Sequence, residues 1–525
     1  SFDPGTPGVT HRHVVNLRTF QQEEVEATPP PGSGRSTAGS PPSPRFLLSR
    51  TPQRPALTND TVPVSPNLAF PTYDRSALTP AVVHFGVGGF HRAHQAAYLD
   101  ELAESGVTDW GVIGVGIQRP ELGEVLSAQD NLFIVVQRGT EDSTARVIGS
   151  MVEYLLLAED PGAVRARLVD PRIRLVTMTI TGDGYAVDDG PEERRDSLFA
   201  VLVDALDERR RAGVAPFTVL SCDNLPDSGA AARRAVLTVA RRRGDGLAEW
   251  IERHVTFPSS MVDRITPSTA PADREEIADE FQVADRWPVV TEPFRQWVIE
   301  DSFCNDRPPL ERVGVRFVAD VAPYKLVKSR LLNGTHSALG YLGSLAGYRR
   351  TDEAMGDPVL AGFVEHLMCD EIAPLLPADV PDMELAEYPA RLLDRFRNPA
   401  IGDDLSRLCG RGSTKMPGYL LPTLHEARRD GRPRRLLTLA VAAWLRYLRG
   451  NDLAGCPVEV KDARADELRA RAAAGGGDPR PLLALADVFG DLAGDEDFAA
   501  EVELLMKTLD ARGVQDTVVT LLHGG

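Results

Sequence analysis

Cysteine is scarce in this sequence: Cys222, Cys304, Cys369, Cys409 and Cys456 are five in number, scattered, and without a CxxC pair. That pattern excludes a disulfide scaffold or a structural zinc site and points to a reducing compartment. No apolar run of about 18 residues occurs, and the amino-terminal stretch lacks a signal-peptide core, so no membrane partner is expected and the cytoplasm is the expected location. Positive charge is also short, with 58 Lys and Arg against 76 Asp and Glu and a formal net charge of −18. A field of that sign opposes phosphate backbones and anionic membranes, which removes nucleic acid from the expected partners.

What remains is an ordinary folding composition, 42% hydrophobic and 26% charged. Its 525 residues exceed one compact core and suggest about two to three domains. Around "TPPPGSGRSTAGSPPSPRF" Pro, Ser, Gly and Arg dominate, and such a stretch cannot bury enough apolar surface to offset its ordering entropy. Residues 1–65 therefore read as a flexible tail. Beyond them, short apolar runs at 82–85, 110–117, 174–181 and 217–222 alternate with helical patterns such as 196–212 and 230–243, which implies a mostly parallel sheet covered on both faces. From about residue 323 the period becomes 3.6, as at 326–346, 355–372, 388–396 and 436–448. The expected fold is thus α/β, a Rossmann-type domain over 66–322 followed by a mainly α-helical domain over 323–525.

The first apolar run ends in Gly86-Val87-Gly88-Gly89-Phe90, and a helical pattern follows. A strand, Gly turn and helix present backbone N–H groups and a helix dipole to a pyrophosphate, with Gly86 allowing the turn and Gly88 the close approach. Gly86, Gly88 and Phe90 are the candidate cofactor residues here. The third glycine of the usual fingerprint is missing and His91 stands in its place, so the motif alone is a weak signal, and a turn that binds no nucleotide is the other reading. After the second run, Glu121 is the candidate for the adenosine ribose, but Arg119 beside it suits a 2′-phosphate. The cofactor is read as NAD, with NADP left open. His91 and His94 have no third ligand at metal spacing, and no metal is expected.

Lys328, Asn333 and His336, in "KLVKSRLLNGTHSALGYLG", lie five and then three residues apart, which is compatible with one helical face. A lysine whose pKa is lowered by burial can take a hydroxyl proton, an amide can donate to the developing alkoxide, and a histidine can hold a neighbouring hydroxyl. Taken alone, the same residues read more readily as a solvated cation, a turn asparagine beside Gly334 and a packed histidine. Tyr324 and Lys328 also share a YxxxK spacing, which is discounted because no TGxxxGxG segment accompanies it.

Six segments in order, "HFGVGGFHRAHQAAYLDEL", "SCDNLPDSG", "FPSSMVDRITP", "TEPFRQWVIEDSF", "KLVKSRLLNGTHSALGYLG" and "RLCGRGSTKMPGYL", resemble the polyol-specific long-chain dehydrogenases and reductases, most of all those acting on mannitol. The resemblance implies metal-independent, NAD-linked exchange between D-mannitol and D-fructose in a monomer or weak oligomer. A hexuronate reductase and a non-catalytic NAD sensor are the alternatives. It further implies Lys328 as base, Asn333 and Asn224 as oxyanion donors, and His336 as partner of a substrate hydroxyl. Asp263, Arg407 and Lys415 are implied to contact substrate. Two positions depart from the family pattern: Lys325 stands where a glutamate usually precedes the base, and Gly182 replaces an acid, with Asp183 one place on. A cation at 325 would also press down the pKa of Lys328 by like-charge repulsion.

Overall fold

The computed structural model describes residues 54–63, 65–187, 197–381 and 383–523. Most of the expected tail, 1–53, lies outside them. Its last part is corrected by the structure: Leu57 is fully buried, and its N–H bonds Ala284 O at 3.1 Å. Leu57 packs in one cluster with Phe281 and Val283, an apolar anchor that the polar composition around it had masked.

In the strand Pro80–Phe85 every residue after the proline is buried. Such a strand belongs at the centre of a parallel sheet, where both faces are covered. It is the middle of five parallel strands in the order Met151–Leu156, Gly111–Gly116, Pro80–Phe85, Leu175–Met178, Thr218–Ser221. Val83 pairs with Ile113 on one side and Val176 on the other. The period of two sends Val83 and Phe85 into one core with Leu202 and Val236, while Val82 joins Tyr98, Leu99 and Leu102 on the opposite face. Those partners come from the helices Leu198–Ala212, Ser228–Arg243 and Gln95–Glu104. The first starts where Ser197 Oγ accepts from Ala200 N at 3.2 Å and stops at Gly213, whose φ is 67°, a signature N-cap and left-handed C-cap.

Two smaller sheets flank this one. Leu68–Ala69, Ser143–Ile148, Phe133–Arg138 and Val289–Thr291 form the first, and Arg316–Val318, Gln296–Glu300 and Ser260–Asp263 the second. The second sheet ends at Asp263, close to the junction with the helical half.

The last strand stops at Val318, and from Ala322 the chain is helical. All residues of Thr335–Leu345 are buried, as are all but the first of Arg435–Tyr447, so these two helices form the centre of that half. The long helix Glu496–His523, bent at Gly513, packs against Arg435–Tyr447. Among the described residues no helix is long and apolar enough to cross a membrane.

Candidate active site

Two ends of the fold meet at this site, the carboxyl edge of the five-stranded sheet and the first helix of the helical half. At the sheet edge Gly86 has φ 93°, and a Cβ there would stand 2.2 Å from Thr179 O, so only glycine fits. Gly88 is exposed, and a Cβ on it would meet nothing nearer than 3.9 Å. The backbone there is open to a bulky anion. Phe90, half-buried, stacks on His94 at 5.1 Å. Glu121 is exposed in the first turn of the helix Pro120–Ala128, just beyond the second strand.

His91, in the place of the third glycine, lies under the turn and stacks on His84 at 3.3 Å. Burial holds the rings neutral, pushing His84 and His94 down to about 3 and His91 well below its usual value. These histidines pack the underside of the turn. Among the described residues no three His, Cys, Asp or Glu side chains stand together as a metal set.

On the helical side, Ala322–Val327 runs into a π-helical stretch, Lys328–Gly334, before the α-helix Thr335–Leu345. In an α-helix residues five apart point about 140° away from each other. The wider turn of a π-helix, with its i→i+5 bonding, brings them nearer to one face, and Asn333 and Lys328 both reach Asn224 Oδ1. A second π-helical stretch, Met416–Leu420, packs against the first and carries Tyr419.

The side chains converge on Asn224, in the loop after the strand Thr218–Ser221. Lys328 Nζ donates to Asn224 Oδ1 at 3.2 Å, and Asn333 Nδ2 approaches the same oxygen at 3.5 Å. Asn224 gives its own Nδ2 to Tyr419 Oη at 2.9 Å. In this geometry Asn224 Oδ1 accepts from the lysine, while its Nδ2, the group expected to donate to an oxyanion, is turned to Tyr419. Asn224 is solvent-exposed while Lys328 and Asn333 are buried, so the cluster runs from the surface inward. Tyr324 donates to Pro381 O at 3.0 Å and has no bond into the cluster.

Burial pushes the Lys328 amine down to about 8; Asp263 opposes the shift, and Arg395 and Arg407 add to it. The like-charge pressure on Lys328 comes from two arginines, and the repulsion between the two lysines bears on Lys325. Lys325 instead turns its amine to Leu225 O and Ser228 Oγ. His336 stacks on Phe396 at 4.2 Å, and among the described residues its buried Nε2 has no hydrogen-bond partner. Burial, with Arg407 and Arg395 nearby, holds this ring neutral.

Asp263 is buried, and Arg395 forks onto it at 3.0 and 2.7 Å while also bonding Glu292 at 2.9 and 2.7 Å. Burial alone would raise the Asp263 carboxyl, but Arg395 holds it below its usual value. Arg395, Glu292 and Tyr419 had been assigned no role from sequence. Glu292 lies within the quoted "TEPF" and Tyr419 within "KMPGYL", and only a close reading of those motifs as site segments would have singled them out. Arg407 donates to Asp403, and Lys415 Nζ to Arg407 O at 3.1 Å and Leu408 O at 3.0 Å. Burial pushes Lys415 down to about 8, with Arg407 contributing.

A small pocket beside His336, Arg395 and Asn398 shares Ile401 and Asp403 with a cleft of about 680 Å³ that reaches Arg138, Arg407 and Lys461. At Gly182 an added Cβ would meet Leu225 Cδ2 at 3.2 Å. Asp223 there accepts from Ile180 N, Thr181 N and Tyr185 Oη; the Asp183 side chain lies outside the described residues.

Residues 80–312 match the family described as mannitol dehydrogenase Rossmann domain, and residues 320–510 that described as mannitol dehydrogenase C-terminal domain. Mannitol 2-dehydrogenase of Emericella nidulans is 42% identical over 474 residues, covering 85% of this chain and 94% of the relative. Mannitol dehydrogenase 2 of Saccharomyces cerevisiae is 40% identical, covering 85% and 93%. Among solved structures, Pseudomonas fluorescens mannitol 2-dehydrogenase in ternary complex with NAD and D-mannitol is similar at TM-score 0.81 and 40% identity, covering 88% of this chain and 98% of that one. A substrate-free D-sorbitol dehydrogenase is similar at TM-score 0.77 and 34% identity, covering 88% and 100%.

Proposed function

Because this chain belongs to the mannitol dehydrogenase family, we propose that it oxidises D-mannitol to D-fructose, and runs the reverse reduction, with NAD and with Lys328 as base. The observation that carries the reading is the meeting of Lys328 and Asn333 at Asn224 Oδ1, 3.2 and 3.5 Å away, beside the carboxyl edge of the sheet. The similarity to an enzyme solved with NAD and D-mannitol supports both the cofactor and the substrate.

The glycine turn fits a dinucleotide, since Gly86 closes tightly on Thr179 while Gly88 leaves the backbone open. Gly86, Gly88 and Phe90 would hold its phosphates and Glu121 its ribose hydroxyls. When bound, NAD supplies the acceptor for the hydride. Lys328, uncharged, takes the hydroxyl proton from the carbon being oxidised, and Asn333 Nδ2 donates to the oxygen as charge develops on it. Asn224 steers the lysine, and the neutral His336 offers Nε2 to a neighbouring hydroxyl. Asp263, Arg407 and Lys415 orient the remaining hydroxyls, a mixed polar set suited to a polyol. Lys328 and Asn333 carry the polarising role in this reading, and metal has no part in it.

The test is absorbance of the reduced nicotinamide with D-mannitol, D-sorbitol and D-arabinitol against NAD and NADP, beside fructose and fructuronate reduction, each with and without EDTA. Fastest turnover of D-mannitol with NAD, unchanged by EDTA, is expected. Preferential fructuronate reduction would instead make it a hexuronate reductase, and cofactor binding without turnover a sensor.

A further inference from the structure

The segment that carries Lys328 carries a second buried lysine three residues earlier. Lys325 is 8% exposed, and its Nζ donates to Leu225 O at 3.0 Å and to Ser228 Oγ at 2.8 Å. Leu225 lies within the loop that joins the strand Thr218–Ser221 to the helix Ser228–Arg243, and Ser228 opens that helix. The residue before Leu225 is Asn224, whose Oδ1 receives Lys328 and Asn333. Residues three apart on a helix face the same way, so two lysines of one face grip one loop. Lys325 holds its backbone and Lys328 its functional side chain.

A buried amine is an expensive way to fill this space, because taking the charge from water is unfavourable. Burial pushes Lys325 down to about 8, with Asp227 and Glu300 opposing the shift. An apolar side chain of the same length would fill the volume without that penalty, but it could not donate to Leu225 O. Nor could the glutamate found here in the family pattern, since a carboxylate and a carbonyl are both acceptors. The lysine therefore does something here that neither replacement can.

We propose that Lys325 is a positioning residue that fixes the 222–228 loop so that Asn224 stands in register with Lys328 and Asn333. Its effect on turnover passes through Asn224, and this part of the proposal rests on the dehydrogenase reading above. The effect on the loop does not.

The experiment compares Lys325→Met, Lys325→Gln, Asn224→Ala and the double variant Lys325→Met/Asn224→Ala with the wild-type full chain. It reads kcat for D-mannitol oxidation, Kd for NAD, and hydrogen–deuterium exchange in residues 222–228. Lys325→Met should lower kcat by about tenfold or more, since small misplacements of reacting groups are costly, while Kd for NAD stays within about twofold and exchange in the loop rises. Lys325→Gln, which keeps a donor for Leu225 O, should recover part of the loss. The double variant should be no slower than Asn224→Ala alone, because two residues acting through one contact are not additive. Unchanged kcat and exchange in Lys325→Met, or losses that multiply in the double variant, would overturn the proposal. Should Lys325→Met fail to fold, Lys325→Gln and Ser228→Ala carry the same comparison. If wild type turns over no polyol, the dehydrogenase reading fails, and the exchange measurement still decides whether Lys325 holds the loop.

Discussion

At Lys328 the direction of the pH dependence follows from which form of the amine works. As the proposed base, it must be uncharged for oxidation and charged for reduction. With burial, Arg395 and Arg407 pushing this amine down to about 8 against the pull of Asp263, kcat/KM for oxidation should rise with pH and level off above about 8. Reduction should fall over the same interval. Asp263→Asn removes an anion that favours the charged amine, so the rise should begin at lower pH; a profile that stays in place or moves to higher pH counts against the assignment. Residues of this kind were legible where their chemistry is local. Lys328, Asn333 and His336 stand within nine residues of sequence and could be read together. Tyr419 could not be paired with Asn224, 195 residues away, nor Arg395 with Asp263, 132 residues away, because each acquires its role only through the packing of distant elements. The orientation of the Asn224 amide was likewise invisible, being set by a cationic lysine on one side and a tyrosine hydroxyl on the other.

Among the elements, the π-helical stretch Lys328–Gly334 shows how local pattern and local structure can part. The spacing of five and three was read as an ordinary helical face, yet regular α-helix would have turned Asn333 about 140° from Lys328. The site depends on the wider turn, and nothing in the 3.6-residue apolar period announces it. The strands of the central sheet were legible as apolar runs because they are buried on both faces. Met151–Leu156 was not, since only its first residue is fully buried, and the two small sheets escaped because, apart from the hairpin of Phe133–Arg138 and Ser143–Ile148, they pair segments well separated in the chain. The helix Tyr388–Arg397 makes its own prediction. Its Arg395 neutralises Asp263 and Glu292 together, and removing one member of a buried ionic set strands the others. Arg395→Leu should destabilise the protein by about 3–5 kcal/mol, read as a lowered midpoint in denaturant unfolding; a loss within 0.5 kcal/mol, the ordinary range for a surface change, would show the triad to be unimportant to the fold.

Across the whole molecule, an α/β half ending in a helical half was legible from the change of period near residue 323, because the last strand stops at Val318 and helix begins at Ala322. The start of the fold was less legible, since two leucines, Leu57 and Leu68, anchor a segment whose composition is otherwise that of a linker. This division gives each half one task. The sheet half offers the Gly86–Gly88 turn and Asn224, while the helical half offers Lys328, Asn333 and His336, and the proposed reaction draws on both. Binding of the cofactor and transfer of the proton should therefore be separable by one substitution. The most direct measurement is NAD affinity by calorimetry together with D-mannitol-dependent formation of reduced nicotinamide, in wild type and in Lys328→Ala. The account predicts unchanged NAD affinity and turnover lower by about a hundredfold or more, whereas a Lys328→Ala enzyme that turns over at a rate near wild type would contradict it.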